Sequence, residues 1–366
     1  MNQTKLYTAK LAKSVREVPQ SVRRYWRKNW LHKVFCIASA LLILCTGTLY
    51  GIAQWYIYSE RSKPLEMGAS FIPAYAESLG LNPQQTMDAL ITDVGVRNFR
   101  LVSYWDQLEP QPGVYDFSLL DWQFQKVEAA HGTVTLSLGL RQPRWPECHV
   151  PAWVGSMPTQ QWQPKLEDFM RAVIARYKDS PALQSYQVEN EFFLKGFGTC
   201  TNFDRARLES EYNLVKKADP HHPAIVNRSN NLLGMPVGKP TPDEFGISIY
   251  KRVWSPPIGR YFEYPFPAWL YASLAGMQKI TTGRDMIVHE LQAEAWPPNY
   301  QGITETSLAE QKKSLDGPRF TDRIQFGKAT GMREIYLWGA EYWYYRKVVL
   351  ADDSLWKVAQ KAYSEQ

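Results

Sequence analysis

From Met67 onward the chain alternates eight short apolar runs with longer amphipathic stretches, a rhythm that few folds accommodate. The runs are Met67–Phe71, Val96–Val102, Thr133–Leu140, Gln184–Glu189, Ala224–Val226, Phe245–Tyr250, Met286–His289 and Glu334–Trp338, and each reads as a strand. Between the third and fourth, Leu166, Phe169, Met170, Val173, Ile174 and Tyr177 mark one face at helical spacing. Further helices read near Pro83–Val94, Leu119–Ala130, Ala206–Ala218, Pro265–Lys279, Phe320–Thr330 and Ser354–Tyr363. Eight strands interleaved with helices over this length predict an α/β fold, a closed (β/α)8 barrel. A doubly wound open sheet would need a Gly-rich phosphate turn after its first strand, and "FIPAYAESLGLNP" supplies none. One unit is weak, because "NRSNNLLGMPVGKPTPDE" after Val226 holds too much Pro, Gly and Asn for a helix.

Ahead of this region lies "VFCIASALLILCTGTLYGIA", Val34 to Ala53, an uncharged run of the length that spans a bilayer as a helix. Trp55, Tyr56 and Tyr58 follow it, where aromatic rings favour the membrane interface. Residues 1–33 carry nine basic side chains against Glu17 alone, a net of +8. The remaining 33 basic and 35 acidic residues leave a net of −2, so the overall +6 belongs to the tail. A folded domain without a basic face does not read as a nucleic-acid binder. A cleaved signal peptide would have a much shorter charged region, and a lipoprotein signal would want a small residue where Leu44 precedes Cys45. The expected organisation is a basic cytoplasmic tail (1–33), a single transmembrane signal anchor (34–58), a linker (59–65) and an extracytoplasmic barrel (66–366) at the cell membrane.

Cys36 and Cys45 fall inside the apolar run. Cys148 and Cys200 fall in the exported part, where a disulfide can persist. They follow the third and fourth strands, neighbours in a barrel, and are expected to be bonded. No CxxC or His-rich spacing points to a metal site, and no cofactor motif is present. The sequence does not report an oligomeric state.

In a barrel the reactive groups gather at the C-terminal ends of the strands. Those ends carry Arg100, Asn190-Glu191, Tyr250, His289-Glu290 and Trp338. Burying the carboxylates of "SYQVENEF" is costly unless they are paired or employed. "RLVSYWDQLEPQPGVYDFSLLD" (Arg100 to Asp121), "QVENE", "MIVHELQAEAW" and "IYLWGAEYW" together resemble the retaining glycoside hydrolases of clan A, TIM-barrel enzymes that include families 5, 39 and 42. The resemblance runs from about Met67 to Trp343. It implies a carbohydrate substrate, with Glu191 as general acid/base and Glu290 as nucleophile. It further implies that Arg100 and Tyr250 hold Glu290, that Asn190 meets the sugar 2-hydroxyl and that Trp338 floors the sugar ring.

Several residues have plainer readings. Glu294 is the rival nucleophile, although the apolar run Met286–Val288 ends nearer Glu290. Glu189 is expected to be a structural carboxylate paired inside the barrel. Glu147 and His149 follow the third strand and read equally as groove or loop residues. His289 reads as a satisfied residue behind the site, and His221-His222 as an exposed turn. Of Trp105, Trp145, Trp153 and Trp254, about half are expected to be sugar platforms and the rest core; Trp105 and Trp145 are the two nominated. Two further functions use the same residues: a non-catalytic sugar-binding barrel, and a transglycosylase.

Overall fold

The computed structural model describes residues 30–229 and 238–365. Its strands are β1 (Glu66–Ser70), β2 (Asn98–Val102), β3 (Thr133–Leu138), β4 (Leu183–Val188), β5 (Ala224–Ser229), β6 (Glu244–Ile249), β7 (Arg252–Ser255), β8 (Arg260–Glu263), β9 (Met286–Gln292) and β10 (Glu334–Trp338). All but β7 and β8 close into one parallel barrel, with β1 hydrogen-bonded to both β2 and β10. β7 and β8 form an antiparallel hairpin outside it. The eight expected strands are thus the barrel strands. β9 runs three residues beyond the apolar stretch, through the buried Glu290, Leu291 and Gln292, because Glu290 finds Arg100 and Tyr250 at the mouth and Gln292 bonds the backbone of Lys251 and Arg252.

The barrel interior is filled by side chains. Gly68 on β1 leaves room for the ring of Tyr336, since a Cβ there would lie 2.5 Å from Cδ1 of that ring. Tyr336 reaches across to Thr135 at 3.0 Å, and Thr135 meets Ser185 at 2.8 Å. Towards the mouth, Ser137 donates to Gln187, which also accepts from Arg100. Outside, the helix Thr159–Tyr177 buries the same six residues that mark its apolar face in the sequence. Arg205–Ala218 and Gly317–Ala329 are capped by the side chains of Asp204 and Asp316. Of the weak connection after β5, residues 230–237 lie outside the described residues, and residues 238–243 are not helical.

The helix Trp30–Glu60 is long and apolar enough to cross a membrane by length and composition, and its most apolar window is wholly unburied. It continues through Ser59 and Glu60, so only Arg61–Leu65 separates it from β1. Its last three turns pack on the helix Ala268–Thr282. Tyr50 meets Trp269 edge-on at 5.7 Å, and Ala53 and Tyr56 are buried. Gly276 permits this approach, because a Cβ there would lie 2.7 Å from Cγ2 of Ile52. Glu60 forms ion pairs with Lys279 and, at 2.7 Å, with Lys63. Most of the expected basic tail, residues 1–29, lies outside the described residues.

Candidate active site

The C-terminal ends of the strands surround a cavity of about 910 Å³. At its base Arg100, on β2, is buried and committed on three sides. Nε donates to Gln187 at 2.6 Å, Nη1 to Glu290 Oε1 at 2.6 Å and Nη2 to Asn190 Oδ1 at 2.9 Å. The other oxygen of Glu290 accepts from the Tyr250 hydroxyl at 2.8 Å. Burial and the Glu290 charge hold the Tyr250 hydroxyl well above the usual phenol range, so it stays a donor. Both carboxylate oxygens of Glu290 are therefore oriented from β2 and from the end of β6.

Strict alternation would send residues 190 and 191 to opposite faces. The chain avoids this because β4 ends at Val188, and Glu189 (φ 61°) and Glu191 (φ 41°) both adopt left-handed backbone. Such conformations are strained for residues with side chains and persist where surrounding contacts hold them. Here the Glu191 backbone N–H donates to Asn227 Oδ1 at 2.7 Å, and Asn227 Nδ2 returns a bond to Asn190 Oδ1 at 3.0 Å. Asn190 and Glu191 consequently both line the cavity. Glu191 is pushed up to about 8 by burial, then by the charges of Glu290 and Glu147. Its Oε1 finds no hydrogen-bond partner among the described residues. A buried carboxyl that holds its proton at neutral pH, facing the same cavity as a carboxyl fixed by an arginine, has the chemistry of a proton donor.

Glu189 is paired, though not inside the barrel. It takes Arg207 of the helix Arg205–Ala218 at 2.8 Å and the backbone N–H groups of Leu140 and Arg141. It thus joins β4 to its outer helix and pins the loop after β3. That loop brings Glu147 into the site, where Oε2 accepts from Asn190 Nδ2 at 3.0 Å, and burial pushes its carboxyl up to about 7. A disulfide between Cys148 and Cys200, with Cα atoms 5.3 Å apart, ties this loop to the one after β4. His149 instead stacks on Tyr104 at 3.4 Å and lies outside the cavity lining. His289 is buried among the barrel side chains, edge-on to Tyr336. His222 pairs with Asp219 at 2.6 Å ahead of β5, at the base end of the barrel.

Trp338 and Trp145 line the cavity, and Trp145 is 62% exposed. Trp105 does not reach it. Its indole is buried against Trp153 and Phe169 and donates to Glu109 at 2.6 Å, because the short helix Trp105–Leu108 turns it into the outer layer. Trp254 lines the mouth, whereas Trp153 packs behind it. Glu294 also lines the cavity but is held by Arg144 at 2.9 Å, away from the Arg100 and Tyr250 pair. Tyr75, Arg144 and Trp296 line the site without having been singled out in the sequence. The Arg144 guanidinium lies 3.2 Å from the Tyr75 ring centre and 4.6 Å from that of Trp338. Arg144 sits in "RQPRWPECH", one position before the nominated Trp145, so proximity to that residue was the available signal.

No protein-family model and no curated protein matches the chain. Solved structures do. A β-galactosidase from the Antarctic haloarchaeon Halorubrum lacusprofundi superimposes with a TM-score of 0.54 at 14% identity, covering 82% of this chain and 58% of its own. A GH42 β-galactosidase from G. stearothermophilus gives 0.53 at 15% identity over 82% and 56%. A xylanase from Thermotoga maritima gives 0.50 at 16% identity over 87% and 99%. The chain has their TIM-barrel fold. It spans a little over half the length of the two β-galactosidases.

Proposed function

We propose that the chain is a retaining glycoside hydrolase acting on a carbohydrate near the cell surface. Glu290 attacks the anomeric carbon while Glu191 gives its proton to the departing oxygen, leaving a glycosyl ester on Glu290. Glu191, now ionised, takes a proton from water as the water attacks the same carbon, and Glu290 is released as a carboxylate. Loss of the Glu290 charge in the ester lowers the proton affinity of Glu191 at the moment it must act as a base. Asn190 spends one amide hydrogen on Glu147, leaving the other for the sugar 2-hydroxyl, and Trp338 offers a ring face below the sugar. The observation that carries this reading is a Glu290 fixed by Arg100 and Tyr250, facing the same cavity as a Glu191 that is pushed up to about 8.

We place the helix Trp30–Glu60 in the cell membrane, with the basic tail cytoplasmic and the barrel outside. Supporting this are the +8 flank, the uncharged run after it and a disulfide of the kind that persists outside the cytoplasm. The test is to purify the full chain in detergent and screen aryl glycosides, following product stereochemistry by NMR. Retention of anomeric configuration is expected. Inversion would rule out the covalent route through Glu290.

A further inference from the structure

The direction of the apolar helix fixes where the mouth of the barrel points. β6 ends at the mouth and β9 begins at the base, so the helix Ala268–Thr282 between them descends from mouth to base. Tyr50 contacts Trp269 at the top of that helix, Ile52 and Tyr56 meet Gly276 midway, and Glu60 pairs with Lys279 near its end. The two helices therefore run parallel. Two further contacts fix the lower end. Ile57 packs on Gly331, and Lys63 meets Asp285 at 3.1 Å, in the loops that lead into β10 and β9. The stretch from Trp30 to Tyr50 must then project beyond the mouth, not beyond the base. At 1.5 Å per residue it reaches about 30 Å, the thickness of a bilayer's hydrocarbon core.

The mouth-side loops suit such a surface. Trp145 and Val150 after β3, and Ile258 and Phe262 on the β7–β8 hairpin, are between 40% and 62% exposed. Arg260 is exposed beside them, placed for anionic headgroups. Trp favours the interface between headgroups and hydrocarbon.

We propose that the mouth opens onto the bilayer that holds the helix Trp30–Glu60, and that the site takes a saccharide borne on a membrane lipid. The substrate half rests on the glycosidase reading; the orientation does not, and it holds whichever leaflet the barrel occupies. A barrel with its mouth against the headgroups presents Glu191 and Glu290 to sugars standing on the surface and restricts entry of long soluble chains.

The full chain, with Cys36→Ala and Cys45→Ala, is reconstituted in phosphatidylcholine/phosphatidylglycerol vesicles. A solvent-sensitive fluorophore is attached at Ile258→Cys on the mouth side or at Lys178→Cys on the base side, and headgroup-spin-labelled lipid is the quencher. Quenching at position 258 several-fold above that at 178 is expected. Equal quenching, or more at 178, overturns the orientation. In the same vesicles each sugar is offered as a soluble aryl glycoside and as a dialkyl-lipid glycoside. The lipid-borne form should turn over faster by about tenfold or more, the effect of confining both partners to one surface. Faster cleavage of the soluble form overturns the lipid-borne substrate and leaves the glycosidase reading intact. Cleavage of neither overturns both, while the quenching ratio still decides the orientation.

Discussion

Arg100 and Glu290 face each other across the barrel, Nη1 to Oε1 at 2.6 Å, with neither side chain more than 4% exposed. In so dry a setting the pair is weak evidence of net stability, but breaking it is expensive. Removing one member of a buried pair costs about 3–5 kcal/mol, because the other charge is left uncompensated. Arg100 also fixes Gln187 and Asn190, so Arg100→Met should both lower the midpoint of thermal unfolding and cut turnover. Arg100→Lys should recover part of the stability and little of the turnover, since a single ammonium cannot reproduce three directed bonds. Calorimetry and steady-state kinetics on both variants measure the two effects.

Glu290→Gln should abolish turnover while sugar binding survives, because Trp338 and Asn190 remain. Glu191→Gln should slow substrates with poor leaving groups by about 10²–10⁴-fold and spare activated aryl glycosides. Azide should partly restore Glu191→Ala by attacking the glycosyl-enzyme. A fluorinated-sugar trap followed by peptide mass spectrometry should label Glu290; labelling at Glu294 would move the nucleophile four residues along. Full activity in both Gln variants would remove the mechanism altogether.

The proton on Glu191 sets the alkaline limit. The donor form dominates below about 8, so kcat/KM should hold towards neutral pH and fall as pH rises through that value. The Glu290 charge contributes to the shift, so Glu290→Gln should bring the Glu191 titration to lower pH, readable by carboxyl-labelled NMR. An unmoved titration would mean that the two carboxylates do not share one site.

Replacing Cys148 and Cys200 together by Ala should cost about 2–4 kcal/mol of stability. The bond joins the loop carrying Trp145 and Glu147 to the one after Glu191, so KM should rise as well. Denaturant titration and kinetics test this, and mass spectrometry finding Cys148 and Cys200 as free thiols in the native protein would remove its premise.

A reporter active only outside the cytoplasm, fused after Gln366, should give signal. Activity from a cytoplasm-only reporter at the same position would reverse the topology.

The barrel was legible because each of its strands is a compact apolar run and each main outer helix shows one apolar face. β9 was read short, since Glu290 and Gln292 look polar in sequence yet are buried against partners from other strands and loops, Arg100 and Tyr250 for the first and the Lys251–Arg252 backbone for the second. The site was legible where a strand end carries an unusual polar residue, as at Arg100, Asn190-Glu191, Tyr250 and Trp338. It was illegible where a loop decides direction. Trp105 follows a strand end as Trp145 does, but a four-residue helix turns the first into the outer layer while the loop after β3 leaves the second at the rim. Glu189 was expected in the interior by parity, and the left-handed backbone on either side of Asn190 cancels parity. Arg144 and Tyr75 come together from β3 and β1 loops far apart in sequence, so their meeting could not be read from either stretch alone.

The close fit of Gly276 against Ile52 and Tyr56 seats the lower part of the apolar helix directly on the barrel. If that helix spans a membrane as proposed, the height at which Glu191 and Glu290 ride is set by how far the helix sinks, and so by the thickness of the bilayer. A thicker bilayer would draw the mouth closer to the headgroups or tilt it, and a thinner one would lift it clear. Lipid composition would in this way select which sugar along a surface-bound glycan comes within reach, with no change in the barrel itself.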